Sequence, residues 1–209
     1  MTRRPPKGSI WVYVLRKDGS YAILEIGDEM KDLSGYLKYY FLEDYLFGEV
    51  NKNFKKRGYL TPEEFLAIVI WKSNRAKTNV LKGVNKNGKT INKITSDIAH
   101  AKTPQQKLET LTSIPGIGIP MASAILTVCY PNDFTIADYR ACASLKDFNE
   151  TITGNPIVSV IAYLDYINAC KRLAQKHNLS LRDFDRSLWA KDFYEGANGL
   201  KHLATASVK

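Results

Sequence analysis

Apolar positions along most of this chain recur every three or four residues, the spacing of helices with one buried face. The exception comes early. The run "SIWVYVLRKDGSYAILEI" holds two β-rich apolar stretches around Asp18-Gly19. Asp-Gly suits a type I′ turn, so this run predicts a β-hairpin. The spacing then turns helical in "DEMKDLSGYLKYYFLEDYLFGEV", with a stripe of aromatics (Tyr36, Tyr39, Tyr40, Phe41, Tyr45, Phe47) expected in the core. Thr61-Pro62-Glu63-Glu64 has the signature of a helix start, and that helix should run to about Asn74 before a break. "NKNGK" reads as a turn, "TINKITSDIAHA" as a short helix, and Thr103-Pro104 as the start of "PQQKLETLTSI". A strong helix is predicted from about Pro156, and Ser180 should cap a last amphipathic helix that packs Phe184, Leu188 and Trp189. The expected architecture is mostly α and compact, with a small N-terminal β-hairpin. Residues 1–58 would carry the hairpin and the aromatic-rich helix, and 59–209 the main helical body of the same fold.

Composition changes the picture little, and charge more. At 44% hydrophobic and 24% charged residues, the 209-residue chain can bury a real core. Its formal net charge of +9 favours a polyanionic partner. Cys129, Cys142 and Cys170 are far apart and odd in number, as expected of thiols in a reducing compartment. Neither they nor the three histidines follow a metal-ligand spacing. Ile10–Leu15 is too short for the apolar core of a signal peptide, and no segment is long enough to cross a membrane. The expectation is a cytoplasmic monomer.

One motif carries chemistry. In "LTSIPGIGIPMASAIL", Leu111 and Ile114 end one apolar helix, and Ala122, Ile125 and Leu126 line the next. Between them, Gly116 and Gly118 permit a tight turn without side chains. The amides at the second helix start lack intrahelical partners and, with the helix dipole, suit an anion. Pro120 costs nothing there, because first-turn N–H groups are unpaired anyway. This pattern resembles the helix-hairpin-helix motif, a non-sequence-specific binder of the DNA backbone. It assigns phosphate binding to Gly116, Ile117, Gly118 and Met121.

The next segment extends the likeness. "VCYPNDFTIADYRACASL" passes through a Pro-Asn-Asp loop and an extended stretch to Asp138, twenty residues after Gly118, which opens a helix. Over about Leu111–Leu145 the chain resembles the helix-hairpin-helix glycosylases with a Gly/Pro-rich loop and an essential aspartate (the HhH-GPD superfamily). The resemblance implies a DNA glycosylase acting on a base flipped out of duplex DNA, with Asp138 as catalytic carboxylate as well as helix cap. It implies no organic cofactor and no bound metal, apart from a monovalent cation held by hairpin carbonyls. Bifunctional members carry a lysine two residues after the second glycine. Pro120 stands there, which implies a monofunctional enzyme without lyase action from that position. Members with an iron–sulfur cluster have four C-terminal cysteines, whereas the last cysteine here is Cys170. The segment before the hairpin is shorter than in larger members, so that half of the pocket should be reduced. The alternative from another class is a non-catalytic helix-hairpin-helix DNA-backbone-binding protein, with Asp138 only a cap.

From Lys72 to Lys93 the chain has seven basic residues and no acidic one. Beside the hairpin this stretch reads as a phosphate-contacting stripe, with Lys72, Arg75, Lys77 and Lys82 as its candidates. Trp71 and Asn74 are candidates for the base pocket or for a wedge that fills the gap left by a flipped base.

Overall fold

The computed structural model describes residues 10–15, 21–26 and 40–206. The chain forms two compact units, Met1–Phe41 and Leu42–Lys209. In the first, β1 (Ile10–Leu15) and β2 (Tyr21–Ile26) pair antiparallel, with Ile10 opposite Ile26 and Leu15 opposite Tyr21. The Asp18-Gly19 turn and the aromatics Tyr36 and Tyr39 lie outside the described residues.

The second unit is helical. It starts with α1 (Leu42–Tyr45), which continues through a π-helical turn (Leu46–Val50) into α2 (Asn51–Arg57). This segment belongs to the main body, because Leu46, Val50 and Phe54 are buried in its core. The boundary therefore falls before Leu42 and not near residue 58. Gly58 ends α2 in the left-handed conformation, at φ 77°. Next come α3 (Pro62–Ser73), a 3₁₀ turn at Asn74–Ala76, α4 (Lys77–Asn87) and α5 (Ile91–His100). Thr61 and Glu64 close a reciprocal capping box on α3, and Thr103 with Gln106 does the same for α6 (Pro104–Thr112).

At the centre lies α7 (Ile119–Cys129). Ten of its eleven residues are buried, so it is packed on every side and not along one stripe. Its last carbonyls are satisfied from a distance: the Asn51 carboxamide donates to Val128 O at 2.6 Å and Cys129 O at 3.1 Å. After α8 (Tyr139–Leu145), α9 (Val160–Lys176) begins four residues later than Pro156. The Asn155 side chain accepts from Ile157 N and bends the chain first, and Ser159 then caps the helix. The final helix, α10, runs from Leu181 to Ala206. Phe184 and Leu188 are buried, but Trp189 is 46% exposed and does not close the core. No helix among the described residues is long and apolar enough to cross a membrane.

Candidate functional site

The turn between α6 and α7 is braced from behind by α4. A Cβ on Gly83 would lie 1.5 Å from Pro115 O, and one on Gly116 would lie 2.7 Å from Asn79 O. Asn79 and Gly83 are one helical turn apart, so one face of α4 meets the turn backbone to backbone. Gly116 also has φ +84°. Its missing side chain thus serves an internal contact and a left-handed conformation, and is not reserved for a partner. Gly118 differs. Its φ of −86° suits any residue, and an added Cβ would meet only Pro120 Cδ at 3.7 Å. Gly118 is the bare, outward-facing position.

The hydrogen bonds narrow the anion site further. Ile117 N already donates to Ile114 O at 3.0 Å, and Met121 N to Gly118 O at 3.0 Å. Their amides are engaged and their side chains buried, which corrects their assignment as phosphate donors. Among the described residues no acceptor is found for the amides of Gly116, Gly118 and Ile119. These three amides, at the turn and the start of α7, are unpaired among the described residues. A cation at this turn would share carbonyls such as those of Ile114 and Gly118, which already accept amides. Among the described residues no group of three or more His, Cys, Asp or Glu side chains is arranged to hold a metal ion.

Behind the turn, Phe134–Ala137 forms a buried strap that leads to Asp138. Three hydroxyls fix it. Ser123 Oγ, on α7, accepts from Ala137 N at 3.2 Å and donates to Pro120 O at 3.0 Å. Tyr163 OH donates to Thr135 O at 2.8 Å, and Tyr166 OH to Ile136 O at 3.1 Å. The first turn of α7 and the residue before Asp138 are therefore tied through one serine. Sequence reasoning missed these anchors. The available signal was two tyrosines three apart on the apolar face of α9, since a buried phenol needs a partner for its hydroxyl.

Asp138 caps α8 with one oxygen and meets a lysine with the other. Its Oδ1 accepts from Ala141 N at 3.0 Å, and Lys72 Nζ donates to Oδ2 at 2.9 Å. The two side chains are 21% and 15% exposed. Lys72 thus points into the site from the last turn of α3, which corrects its assignment as a surface phosphate contact.

Both residues line a cleft of about 400 Å³. Trp71, Arg182, Asp185 and Trp189 form much of the rest of its wall. Trp71 is half-buried, edge-on to Phe47 at 5.6 Å. Arg182 lies 4.7 Å from the Phe47 ring centre and 5.3 Å from that of Trp71. It also donates to Glu43 Oε1 at 2.6 Å and pairs with Asp185. Trp189 stacks parallel on Phe193 at 5.5 Å, with Arg140 5.8 Å from its ring centre.

Asp185 is 3% exposed, and burial pushes its carboxyl up to about 6, against the pull of Arg182 and with help from the Asp138 charge. A raised carboxyl pKa means that the folded protein holds this proton more tightly than the unfolded chain does. The contribution is fully present below the ordinary value of 3.8 and is lost as pH rises through about 6. Asp185→Asn should flatten that part of the stability profile, measured as melting temperature against pH. An unchanged slope would mean that another group titrates there.

The basic stretch divides. Lys89 and Lys93 pair with Asp97 at 2.9 and 2.8 Å, and Lys72 is in the cleft. Arg75 and Lys82 are exposed, and Lys77 is half-buried. Lys82 lies on the flank of α4 beside the face that touches the turn. Asn74 is exposed in the 3₁₀ turn, outside the residues that line the cleft, so it does not join Trp71 in a pocket.

Comparisons with protein-family models, with curated proteins and with solved structures give no match to this chain.

Proposed function

We propose that this protein is a DNA glycosylase of the helix-hairpin-helix kind, acting as a monomer on a base flipped out of duplex DNA. The observation that carries the reading is the position of Asp138. It projects into an open, tryptophan-walled cleft, from a strap bonded through Ser123 to the helix start that the hairpin presents. In this reading the open amides of Gly118 and Ile119 hold one phosphate, with Arg75 and Lys82 alongside. The flipped base enters the cleft between Trp71 and Trp189. Positive charge develops on the sugar as the N-glycosidic bond breaks, and the Asp138 carboxylate stabilises it and orients the attacking water. Pro120 offers no amine at the hairpin position, so the base is released to water.

A second reading, a DNA-backbone binder without catalysis, is favoured by one observation. Both Asp138 oxygens already have partners, one in the helix cap and one in Lys72. The two readings part in a screen of duplexes that each carry a single alkylated, oxidised, deaminated or phage-type modified base. Alkali-labile sites should appear in at least one class. Salt-sensitive duplex binding with no labile site in any class would establish the binder instead.

A further inference from the structure

We infer that a row of exposed rings crossing from α8 to α10 is a stacking platform for unpaired bases, so that the protein binds single-stranded as well as duplex DNA. The inference goes beyond the glycosylase reading and needs no bond to be cleaved.

The row is continuous from ring to ring. Tyr139, the first residue of α8, is 64% exposed, and the Arg140 guanidinium lies 5.1 Å from its ring centre. The same guanidinium lies 5.8 Å from the ring centre of Trp189 on α10. One helical turn further on, Phe193 stacks on Trp189 with the two planes 6° apart, and it is 55% exposed. Three large rings thus stand well out in water, where side chains of this kind are usually covered. Trp189 belongs to the cleft wall as well, so the row leads away from the cleft along α10.

Rings and a guanidinium are the side chains on which a base lies flat. The turn of α10 between Trp189 and Phe193 carries Lys191 and Asp192, which pair with Asp147 and Arg140. The core of a protein–protein interface is depleted of such charges, whereas a stacked base tolerates them alongside. A duplex covers the faces of its bases with neighbouring pairs, so only an unpaired strand presents bare faces to several rings at once. That strand also brings the negative charge that a chain of formal net charge +9 attracts.

The test measures fluorescence anisotropy of labelled oligonucleotides with the full chain. The probes are a mixed-sequence single strand, the same strand annealed to its complement, and a base-free strand of deoxyribose phosphates of equal length. Wild-type protein should bind the single strand more tightly than the base-free one, which has the same charge and no faces to stack. Phe193→Leu and Tyr139→Leu keep apolar side chains on the surface but remove the flat rings. Each should weaken single-strand binding about tenfold, as expected for the loss of one base–aromatic stack. Binding of the duplex and of the base-free strand should stay at the wild-type level, and Phe193→Trp should retain the single-strand affinity. Both positions are exposed, so the melting temperature should hold in all three variants. Equal affinity of wild-type protein for the single strand and the base-free strand would overturn the platform. So would single-strand binding left unchanged by both leucine variants. If those variants instead turn a dimer of the wild-type chain into a monomer, the rings join two copies of the chain and the platform is likewise overturned. Base release is read separately in the duplex screen, so the platform can fail with the glycosylase reading intact, and the reverse. Absence of binding to every probe would overturn both.

Discussion

Asp138→Asn should stop base release while leaving the fold and duplex binding close to normal. Asparagine caps helices about as well as aspartate, so the bond from Ala141 N to the side-chain oxygen survives, and the stability cost is that of the lost ion pair with Lys72, about 1 kcal/mol. What is lost is the charge. A carboxylate beside a developing oxocarbenium ion acts in the transition state more than in the ground state, and removing such a group costs about a hundred- to a thousandfold in rate. Asp138→Ala is the companion variant. It also loses the cap and should be less stable by about 1 kcal/mol. Single-turnover base release, duplex affinity and thermal melting separate the two effects. Turnover by Asp138→Asn at the wild-type rate would reduce Asp138 to the cap of α8.

Gly83→Ala should be strongly destabilising, although alanine normally improves a helix. In an exposed helix the change would gain about 1 kcal/mol. Here the new methyl would lie 1.5 Å from Pro115 O, and the obstructing atom is backbone, which no side-chain rotation can remove. Either α4 or the turn must move. A net loss of about 2–3 kcal/mol is expected, together with weaker binding to duplexes of every sequence. Gly118→Ala gives the contrast. It has room and an ordinary φ, so the melting temperature should hold while duplex binding weakens. If Gly83→Ala melts like the parent, α4 does not brace the turn. If Gly118→Ala leaves binding unchanged, the phosphate is gripped elsewhere.

The parts of this fold that can be read from the sequence are those set by neighbours along the chain. Thr61, Thr103 and Asp138 each cap a helix through a bond that spans only three residues. The apolar spacing around Gly116 and Gly118 likewise marks the two helices of the hairpin. The site is harder to read because its contacts join distant segments. Lys72 and Asp138 are 66 residues apart, and within its charge run Lys72 is indistinguishable from Lys82. Asp97, which pairs with Lys89 and Lys93, lies just past the acid-free stretch and alters its meaning only once α5 is folded. Gly83 carries no signal in the sequence, since only the packing of α4 on Pro115 shows why it has no side chain. Trp189 looked like core because its spacing matched Phe184 and Leu188, yet the α10 face that carries it turns toward the cleft.

That face has a consequence for how activity and selectivity divide along the chain. Asp138 and its clamps come from α7, the strap and α9. Much of the opposite wall (Arg182, Asp185 and Trp189) comes from α10 alone, which is tied to α8 where Ser144 Oγ donates to Leu188 O at 2.8 Å and Arg140 pairs with Asp192 at 2.7 Å. Substitutions along α10 can therefore reshape what the cleft admits while the strap keeps Asp138 in place. Two such chains would share one strap and carboxylate and differ in what the cleft admits through a single interchangeable C-terminal helix.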